Sequence, residues 1–183
     1  MSDLPQRPPQ GTNTKSPLAV LFRVGAGVYA LPCTRILEVL PFVELYGVPQ
    51  APPWVAGSLL HRATLIAVVD LCQLIGDYPC PPRLSSRILV VSCPRSDGSV
   101  LTVGLLAEQV TEARRLNGKR LDGAALETAS YLGNVLIEGG APLRLLDVDQ
   151  LMTGPRSPLL DYFSRAESGR LEAHEARRSS AQP

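Results

Sequence analysis

The chain has 183 residues, of which 45% are hydrophobic, so it can bury the core of one large or two small domains. Eighteen Lys and Arg residues against 17 Asp and Glu residues leave a net charge of +1, which gives no overall field to attract nucleic acid or an anionic membrane. No apolar segment reaches the roughly 18 residues of a membrane span, and the first ten residues lack the hydrophobic core of a signal peptide. We therefore expect a cytoplasmic protein without direct membrane insertion.

The N-terminal region changes character at Leu18. Residues 1–17 carry four prolines among polar residues and cannot bury enough apolar surface to offset the entropy of ordering, which predicts a disordered leader. From Leu18 the sequence LAVLFRV, then GAG, then VYALP is typical of two strands joined by a glycine-rich turn. The glycines lack the third glycine and the strand-to-helix setting of a phosphate-binding loop, so no nucleotide cofactor is expected.

Residues 36 to 70 continue the β pattern. ILEVLPFVELYGV (36–48) is rich in β-formers but is interrupted at Pro41, which indicates a bent or edge strand. APPWVAG follows as a turn that we expect to bury Trp54. SLLHRATLIAVVD (58–70) predicts a second hairpin that turns near Arg62 and Ala63.

One sequence motif occurs twice in similar form, as LIAVVDLCQLIG at 65–76 and as LRLLDVDQLMTG at 143–154. In each copy a strand ends at Asp, whose carboxylate can cap a short helix, and a Gln three places on can reach back to complete a capping box. A Gly follows where helices commonly end in a left-handed residue. The corresponding positions are Asp70 and Asp147, Gln73 and Gln150, and Gly76 and Gly154.

The repetition extends backwards along the chain. Each Asp is preceded by a hairpin pattern, and RILVVSCPRSDGSVLTVGLLAEQV (87–110) predicts a hairpin that corresponds to the one starting at Leu18. We interpret this as a duplication, with barrel one at about 18–76 and barrel two at about 87–154. A sheet of five short strands protects its edges best by closing, so the predicted fold class is mainly β, with two tandem five-stranded β-barrels and short helices. A single sandwich that shares one core is the alternative.

The C-terminal segment differs from the rest. Residues 155–183 place a few apolar side chains among alternating charges, which predicts a partly helical polar tail whose first turns dock on the barrels.

The residues that enzymes and metal sites need are not arranged in a recognisable pattern. The four cysteines form no CxxC pair, so we interpret them as reduced packing thiols and predict no metal site. A Ser or Cys nucleophile lacks a well-placed histidine, and we predict no catalytic residues and no enzymatic activity. One alternative is a thiol enzyme that uses Cys33, which sits beside Pro32 at a strand end.

A basic cluster at 114–120 raises the question of nucleic-acid binding. Its cations are Arg114, Arg115, Lys119 and Arg120, and no aromatic residue is interleaved with them. Modules that bind nucleic acid combine more positive charge with aromatic side chains. We expect a solvated loop and no nucleic-acid partner, and a nucleic-acid-binding double barrel is the other alternative.

The remaining pattern, a doubled β module, resembles a known family. ILEVLPF, APPWVAGSLLHRATLIAVVDL, VGLLAEQV and YLGNVL followed by LRLLDVDQLM are similar, in order and spacing, to the signature segments of CheW-like chemotaxis coupling proteins. We place a CheW-like domain at 18–154. The resemblance implies two SH3-like barrels, no cofactor, and a cytoplasmic scaffold recruited to membrane receptor arrays, where it links chemoreceptor tips to the regulatory domain of a CheA-type histidine kinase.

The resemblance also implies binding residues. Ile36, Glu38 and Arg62 match positions that contact the receptor, near a groove between the barrels. A core role for Ile36, a solvated charge for Glu38, and an Arg62 that pairs with Glu38 or Glu44 to stiffen the hairpin are the structural alternatives.

Two further features concern neighbouring positions. Val43 and Leu45 alternate with a polar residue and could present an apolar edge to the kinase. The hairpin reads Leu60-His61-Arg62-Ala63 where the family usually has Asn-Leu-Arg-Gly, and Ala tolerates a positive φ poorly.

Overall fold

The computed structural model describes residues 16–94, 99–120 and 132–154, together with Leu159 and Tyr162. This part of the chain forms ten strands, two short α-helices and one 3₁₀ turn at Cys33–Arg35. The strands are β1 (Leu18–Val24), β2 (Gly27–Pro32), β3 (Ile36–Pro41), β4 (Val55–His61), β5 (Thr64–Asp70), β6 (Arg87–Pro94), β7 (Val100–Arg115), β8 (Lys119–Arg120), β9 (Leu132–Glu138) and β10 (Ala141–Leu146). The helices are α1 (Leu71–Gly76) and α2 (Val148–Thr153). Neither helix is long and apolar enough to span a membrane.

The first barrel contains β3, β4, β5, β6 and the first half of β7. β3 pairs with β6, β6 with β7 and β5 with β4, all antiparallel, and β5 runs parallel to β7. A β-bridge between Tyr46 and Ser58 returns the chain after β3 to β4. This bridge closes the circle of strands, so few backbone groups are left at an open edge.

The second barrel contains β1, β2, β8, β9, β10 and the second half of β7. β1 pairs antiparallel with β2 and β7, β2 runs parallel to β10, and β9 pairs antiparallel with β10 and β8. β8 follows β7 after a short break, so the two act as one bent strand. The mainly β architecture of two small SH3-like barrels is therefore confirmed.

β7 passes from one barrel to the other. Its residues up to Ala107 pair with β6, and those from Glu108 onward pair with β1. Just after this change of partner Gln109 has a φ of 48°, and the register with β1 shifts between Glu108 and Glu112, which is the geometry of a β-bulge. The bulge lets one long strand bend out of the first sheet and into the second.

β1 is buried on both faces, because it lies between two packed regions. Ala19 and Leu21 point into a small cluster inside the second barrel. Val20 and Phe22 point the other way, into the large cluster that also holds the first barrel's core. Phe22 stacks on Tyr29 of β2 with ring centroids 5.6 Å apart. The space between the barrels is thus filled by apolar side chains from the β1–β2 hairpin.

The division into units at 18–76 and 87–154 is wrong. The β1–β2 hairpin pairs with β7 and β10, and so belongs to the second barrel. The β6–β7 hairpin pairs with β3 and β5 of the first barrel. A hairpin with two apolar faces satisfies its local pattern beside either partner, so only long-range packing decides where it pairs.

The terminal segments are described in part. The predicted leader lies outside the described residues except for Ser16 and Pro17, and so does the predicted turn at 97–98. Of the tail, only Leu159 and Tyr162 are described. Leu159 is fully buried in the large cluster, and the Tyr162 ring meets half-buried Trp54 edge-on with centroids 5.4 Å apart.

Candidate functional site

β3 presents an apolar outer face. Its side chains alternate, with Ile36 and Leu40 half-buried against the large core and Leu37 and Val39 exposed. Leu37 is 55% exposed, which is unusual for a leucine in a strand with one face on the core. Apolar side chains on the outside of a strand lose contact with water only when another molecule covers them.

The β4–β5 hairpin adds a second apolar pair. Leu60 and Leu65 lie directly opposite each other across the two strands, and they are 63% and 53% exposed. Residues at paired positions of an antiparallel ladder share one face of the sheet. The pair therefore forms one apolar patch next to the turn.

An ion cluster joins the hairpin to β3. The Glu38 carboxylate oxygen Oε2 lies 3.0 Å from Nε2 of His61 and 3.2 Å from a guanidinium nitrogen of Arg62. These contacts tie the tip of the β4–β5 hairpin to β3. Glu38 and His61 alternate along their strands with the exposed apolar residues, so those residues lie next to the ion cluster in sequence and point away from it. We call the four apolar residues with Glu38, His61 and Arg62 the hairpin surface; its apolar members are Leu37, Val39, Leu60 and Leu65.

The cluster sets the charge of this surface. The pKa of Glu38 lies below its ordinary value, chiefly because His61 hydrogen-bonds to the carboxylate, and Arg62 lowers it further against the opposing effect of burial. A lowered pKa means that the contact is complete above the ordinary pKa of Glu and is lost as the pH falls through the lowered value. At neutral pH the hairpin surface therefore carries an ionised carboxylate bracketed by donors.

The turn of the hairpin has an unfavourable backbone. Arg62 and Ala63 have φ values of 46° and 65°, so both residues of the two-residue turn are left-handed. This is the geometry of a type I′ turn, for which Asn-Gly is the preferred sequence. The chain holds this turn although neither residue favours it.

The predicted binding residues fall in different environments. Glu38 and Arg62 are brought together, whereas Ile36 and Leu45 are half-buried and pack against the large core. Val43 is exposed on the segment after β3. The structural alternatives weighed for Ile36 and Arg62 therefore describe real contacts, and the receptor and kinase roles stay predictions.

The apolar members of the hairpin surface were missed by the sequence reasoning. The signal was the period-2 alternation of β3, since a half-buried Ile36 requires Leu37 to face outward.

The two capping aspartates differ in how many backbone hydrogen bonds they accept and in how deeply they are buried. The Asp70 carboxylate accepts from the backbone nitrogens of Cys72, Gln73 and Cys80 at 2.8, 3.1 and 2.8 Å, while Asp147 accepts from Gln150 at 3.0 Å. Burial raises the pKa of Asp70 more than these hydrogen bonds lower it. Asp70 therefore organises a buried corner, and Asp147 caps an exposed helix start.

Two predictions made for the duplicated sequence motif are wrong: the capping box at Gln73 and the left-handed glycines that end the helices. The Gln73 side chain donates to Asp77 at 3.2 Å, and the backbone nitrogen of Asp70 donates to Trp54, so Gln73 does not close a capping box. The left-handed residue after α1 is Asp77 rather than Gly76, and Gly154 is extended. Asp tolerates the left-handed region well enough to end a helix there.

A buried group of potential metal ligands lies beside the first cap. The ligand atoms of Asp70, Cys72 and Cys80 all lie within 4.8 Å of one another. The spacing of these residues matches no common metal motif, so the sequence reasoning did not group them.

The two alternative functions, a thiol enzyme and a nucleic-acid-binding module, rest on Cys33 and on the basic cluster. Cys33 and two arginines of that cluster make contacts within the folded chain. Cys33 is half-buried and packs against the large core. Arg114 lies 3.7 Å from Glu112, and Arg115 donates to the backbone oxygen of Ser16. These arginines are partnered within the chain and do not form an open basic stripe.

The chain is similar to known proteins both in sequence and in fold. The family model described as the CheW-like domain matches residues 18–156. Over 132 residues the chain is 20% identical to chemotaxis protein CheV3 of Helicobacter pylori, covering 69% of this chain and 41% of that protein. Over 84 residues it is 31% identical to protein PilI of Pseudomonas aeruginosa, covering 46% of this chain and 47% of that protein.

Two more proteins are similar. A probable chemotaxis protein CheW of Rhizobium etli is 23% identical over 93 residues, which cover 51% of this chain and 57% of that protein. The matches thus span about half the length of these relatives. The crystal structure of the scaffolding protein TtCheW from Thermoanaerobacter tengcongensis superimposes with a TM-score of 0.64 at 18% identity, over 80% of this chain and 96% of that one. The chain belongs to the CheW-like domain family.

Proposed function

We propose that this protein is a non-enzymatic scaffold of a chemosensory array, which couples the cytoplasmic tips of chemoreceptors to the regulatory domain of a CheA-type histidine kinase. The observation that carries the proposal is the hairpin surface, where exposed apolar side chains neighbour the members of an ion cluster along β3 and β4. Protein interfaces commonly combine a central apolar patch with polar groups that fix the register of the partner. The names of CheV3, CheW and TtCheW, which refer to chemotaxis and scaffolding, support the same role.

The receptor is expected to dock as a helix along β3. Leu37 and Val39 offer an apolar strip on the outer face of β3, and Glu38, whose side chain lies between theirs in sequence and stays 38% exposed, can accept from a cation or a backbone donor at the edge of the helix. The helix-in-groove mode uses this combination of apolar anchors and one polar contact. Receptor state would then reach the kinase through packed interfaces and would require no reaction at this chain.

A second contact ties this region to the other barrel. Arg35, which precedes β3, makes an ion pair with Asp149 of α2. The start of β3 is thereby fixed against the second barrel, and a helix that lies along β3 would meet both barrels. This supports Ile36 and Glu38 as receptor positions near the junction, and Val43 and Leu45 as a neighbouring place for the kinase.

The direct test is retention of a receptor tip fragment on the immobilised protein. Glu38→Arg should leave the midpoint of thermal unfolding near that of the wild type, because the side chain is partly exposed. It should lower receptor affinity at least tenfold, since it reverses the charge at the centre of the hairpin surface. Glu44→Arg, an equal charge change at an exposed position nearby, is the matched control and should bind normally.

Wild-type affinity of the Glu38→Arg variant would remove Glu38 from the site. Failure of the intact protein to bind either a receptor tip or a kinase regulatory domain would overturn the scaffold role itself.

A second variant, Arg62→Ala, distinguishes a binding role of Arg62 from a role in stiffening the hairpin. Weaker kinase activation by a folded variant supports the binding role, and loss of folding supports stiffening alone.

A further inference from the structure

Asp70, Cys72 and Cys80 meet in a buried corner of the first barrel. Asp70 ends β5, Cys72 lies in the first turn of α1, and Cys80 lies in the loop that leads to β6. One carboxylate oxygen and the two sulphur atoms lie within 4.8 Å of one another, and all three residues are buried. Two cysteines and a carboxylate on fixed elements form a potential ligand set that the scaffold role does not use.

The backbone holds this ligand set in place. Asp70 Oδ1 accepts from the backbone nitrogen of Cys72, and Asp70 Oδ2 accepts from that of Cys80, both at 2.8 Å. The same carboxylate therefore positions both cysteines. A carboxylate has about four lone-pair sites, and three are used by backbone donors, which leaves capacity for one further ligand bond.

The corner is also rich in acidic groups. Glu108 on β7 is only 6% exposed and acts on Asp70 as a neighbouring negative charge. It accepts from the hydroxyl of Tyr78, in the same loop as Cys80. Among the residues that the structure describes, neither Asp70 nor Glu108 forms an ion pair with a Lys or Arg. A bound cation would offset this buried negative potential.

We propose that Asp70, Cys72 and Cys80 bind one thiophilic divalent cation of the Zn²⁺ class. Two sulphurs bound to one Zn²⁺ at about 2.3 Å lie about 3.8 Å apart at the tetrahedral angle. The present separation is at most 4.8 Å, so side-chain adjustments of about 1 Å suffice. Binding releases one proton from each of the two thiols, and water takes the fourth position of the tetrahedron.

Such a site would stabilise the junction between the barrels. The loop that carries Cys80 also carries Tyr78, whose hydroxyl accepts from the backbone nitrogen of Gly25 in the β1–β2 turn. A cation held by α1 and this loop would fix both elements and, through Tyr78, the hairpin of the second barrel. Because the cation binds only the folded chain, it should raise the midpoint of thermal unfolding.

The test uses the full chain, reduced and freed of metal by a chelator that is then removed. Titration with Cd²⁺, followed by sulphur-to-metal charge-transfer absorption, should saturate at one equivalent per chain, and an excess of Zn²⁺ should compete with Cd²⁺ for the site. Cys72→Ser and Cys80→Ser should each weaken binding by on the order of 100-fold or more. Cys33→Ser and Cys93→Ser, the other two cysteines of the chain, are matched controls and should bind as the wild type does.

A second measurement needs no variant and so does not depend on how a variant folds. Wild-type protein is alkylated with and without Zn²⁺ and the modified cysteines are mapped by mass spectrometry. Selective protection of Cys72 and Cys80 supports the site. Absence of stoichiometric binding, equal protection of all four cysteines, or a Cys72–Cys80 disulfide with no metal uptake by the reduced protein would each overturn it.

Discussion

At the scale of single residues, the hairpin turn at Arg62 and Ala63 shows how the chain accepts local strain beside its candidate site. A left-handed conformation costs an L-residue roughly 1–2 kcal/mol relative to glycine. The turn holds because β4 and β5 pair on both sides of it and because Arg62 is tied to Glu38. The left-handed turn places Arg62 where its guanidinium group contacts Glu38 in the hairpin surface.

We predict that Ala63→Gly stabilises the protein. Glycine adopts a φ of 65° freely, and after subtraction of its larger entropy in the unfolded chain the net gain should be about 0.5–1 kcal/mol. Urea unfolding measures the change. Ala67→Gly, in the regular part of β5, is the control and should lose about 0.5–1 kcal/mol. A destabilised Ala63→Gly variant would show that the alanine methyl makes a contact worth more than the strain.

At the scale of elements, the sequence predicts local features well and partners poorly. The Asp caps of α1 and α2 could be read from the sequence because a capping residue acts within three positions of itself. The hairpin at Arg62 was likewise predicted. The identity of the left-handed residue after α1 was not, because Asp77 is stabilised by the Gln73 side chain and not by its own preference alone.

The candidate site could likewise be predicted only in part, because its contacts join segments that are distant in sequence. Glu38 and Arg62 were selected by resemblance, but their contact depends on how β3 sits beside the β4–β5 hairpin. The exposed Leu60 and Leu65 look like core residues in the sequence, since nothing local distinguishes a strand buried on two faces from one buried on a single face. Only the assembled barrel shows which leucines are left outside.

The contacts of Leu159 and Tyr162 with the rest of the described chain lead to a second prediction. Leu159 is fully buried in the large core, whereas Leu84 is 94% exposed. Leu159→Ala should therefore cost about 2–5 kcal/mol of unfolding free energy, and Leu84→Ala should stay within about 0.5 kcal/mol of the wild type. The fluorescence of Trp54, the single tryptophan, can follow unfolding, because its ring touches Tyr162 of the same segment. Equal stability of the two variants would mean that this segment is not docked in solution.

At the scale of the whole molecule, the two halves of the duplicated sequence exchange hairpins. Each barrel is completed by a hairpin that comes from the other half of the chain. The local units are repeated, since β4–β5–α1 and β9–β10–α2 each consist of a hairpin that ends in a capped helix. However, β1–β2 runs beside β10, and β6–β7 runs beside β5, each through a parallel pairing of strands far apart in sequence. A repeat in sequence reveals the units but contains no information on which copy completes which barrel, and for this reason the expected boundary between the barrels was wrong.

Exchange of hairpins predicts that neither half folds alone. The chain can be divided after exposed Leu84, where a cut is tolerated best, to give fragments 1–84 and 85–183. The first fragment lacks β6 and β7, so β1 and β3 lose pairing partners, and the second lacks β1 and β2 beside β10. Each fragment alone should show poorly dispersed amide resonances, and an equimolar mixture should recover the spectrum of the intact chain.

A shortened first fragment, 33–84, provides the control for this experiment. It lacks the β1–β2 hairpin, whose Val20 and Phe22 fill the space between the barrels, so it should not restore the second barrel when mixed with 85–183. A native-like spectrum from fragment 1–84 alone would show that the first barrel closes without the second half. In that case the pairing of β3 with β6 and of β5 with β7 would not be what holds the first barrel together.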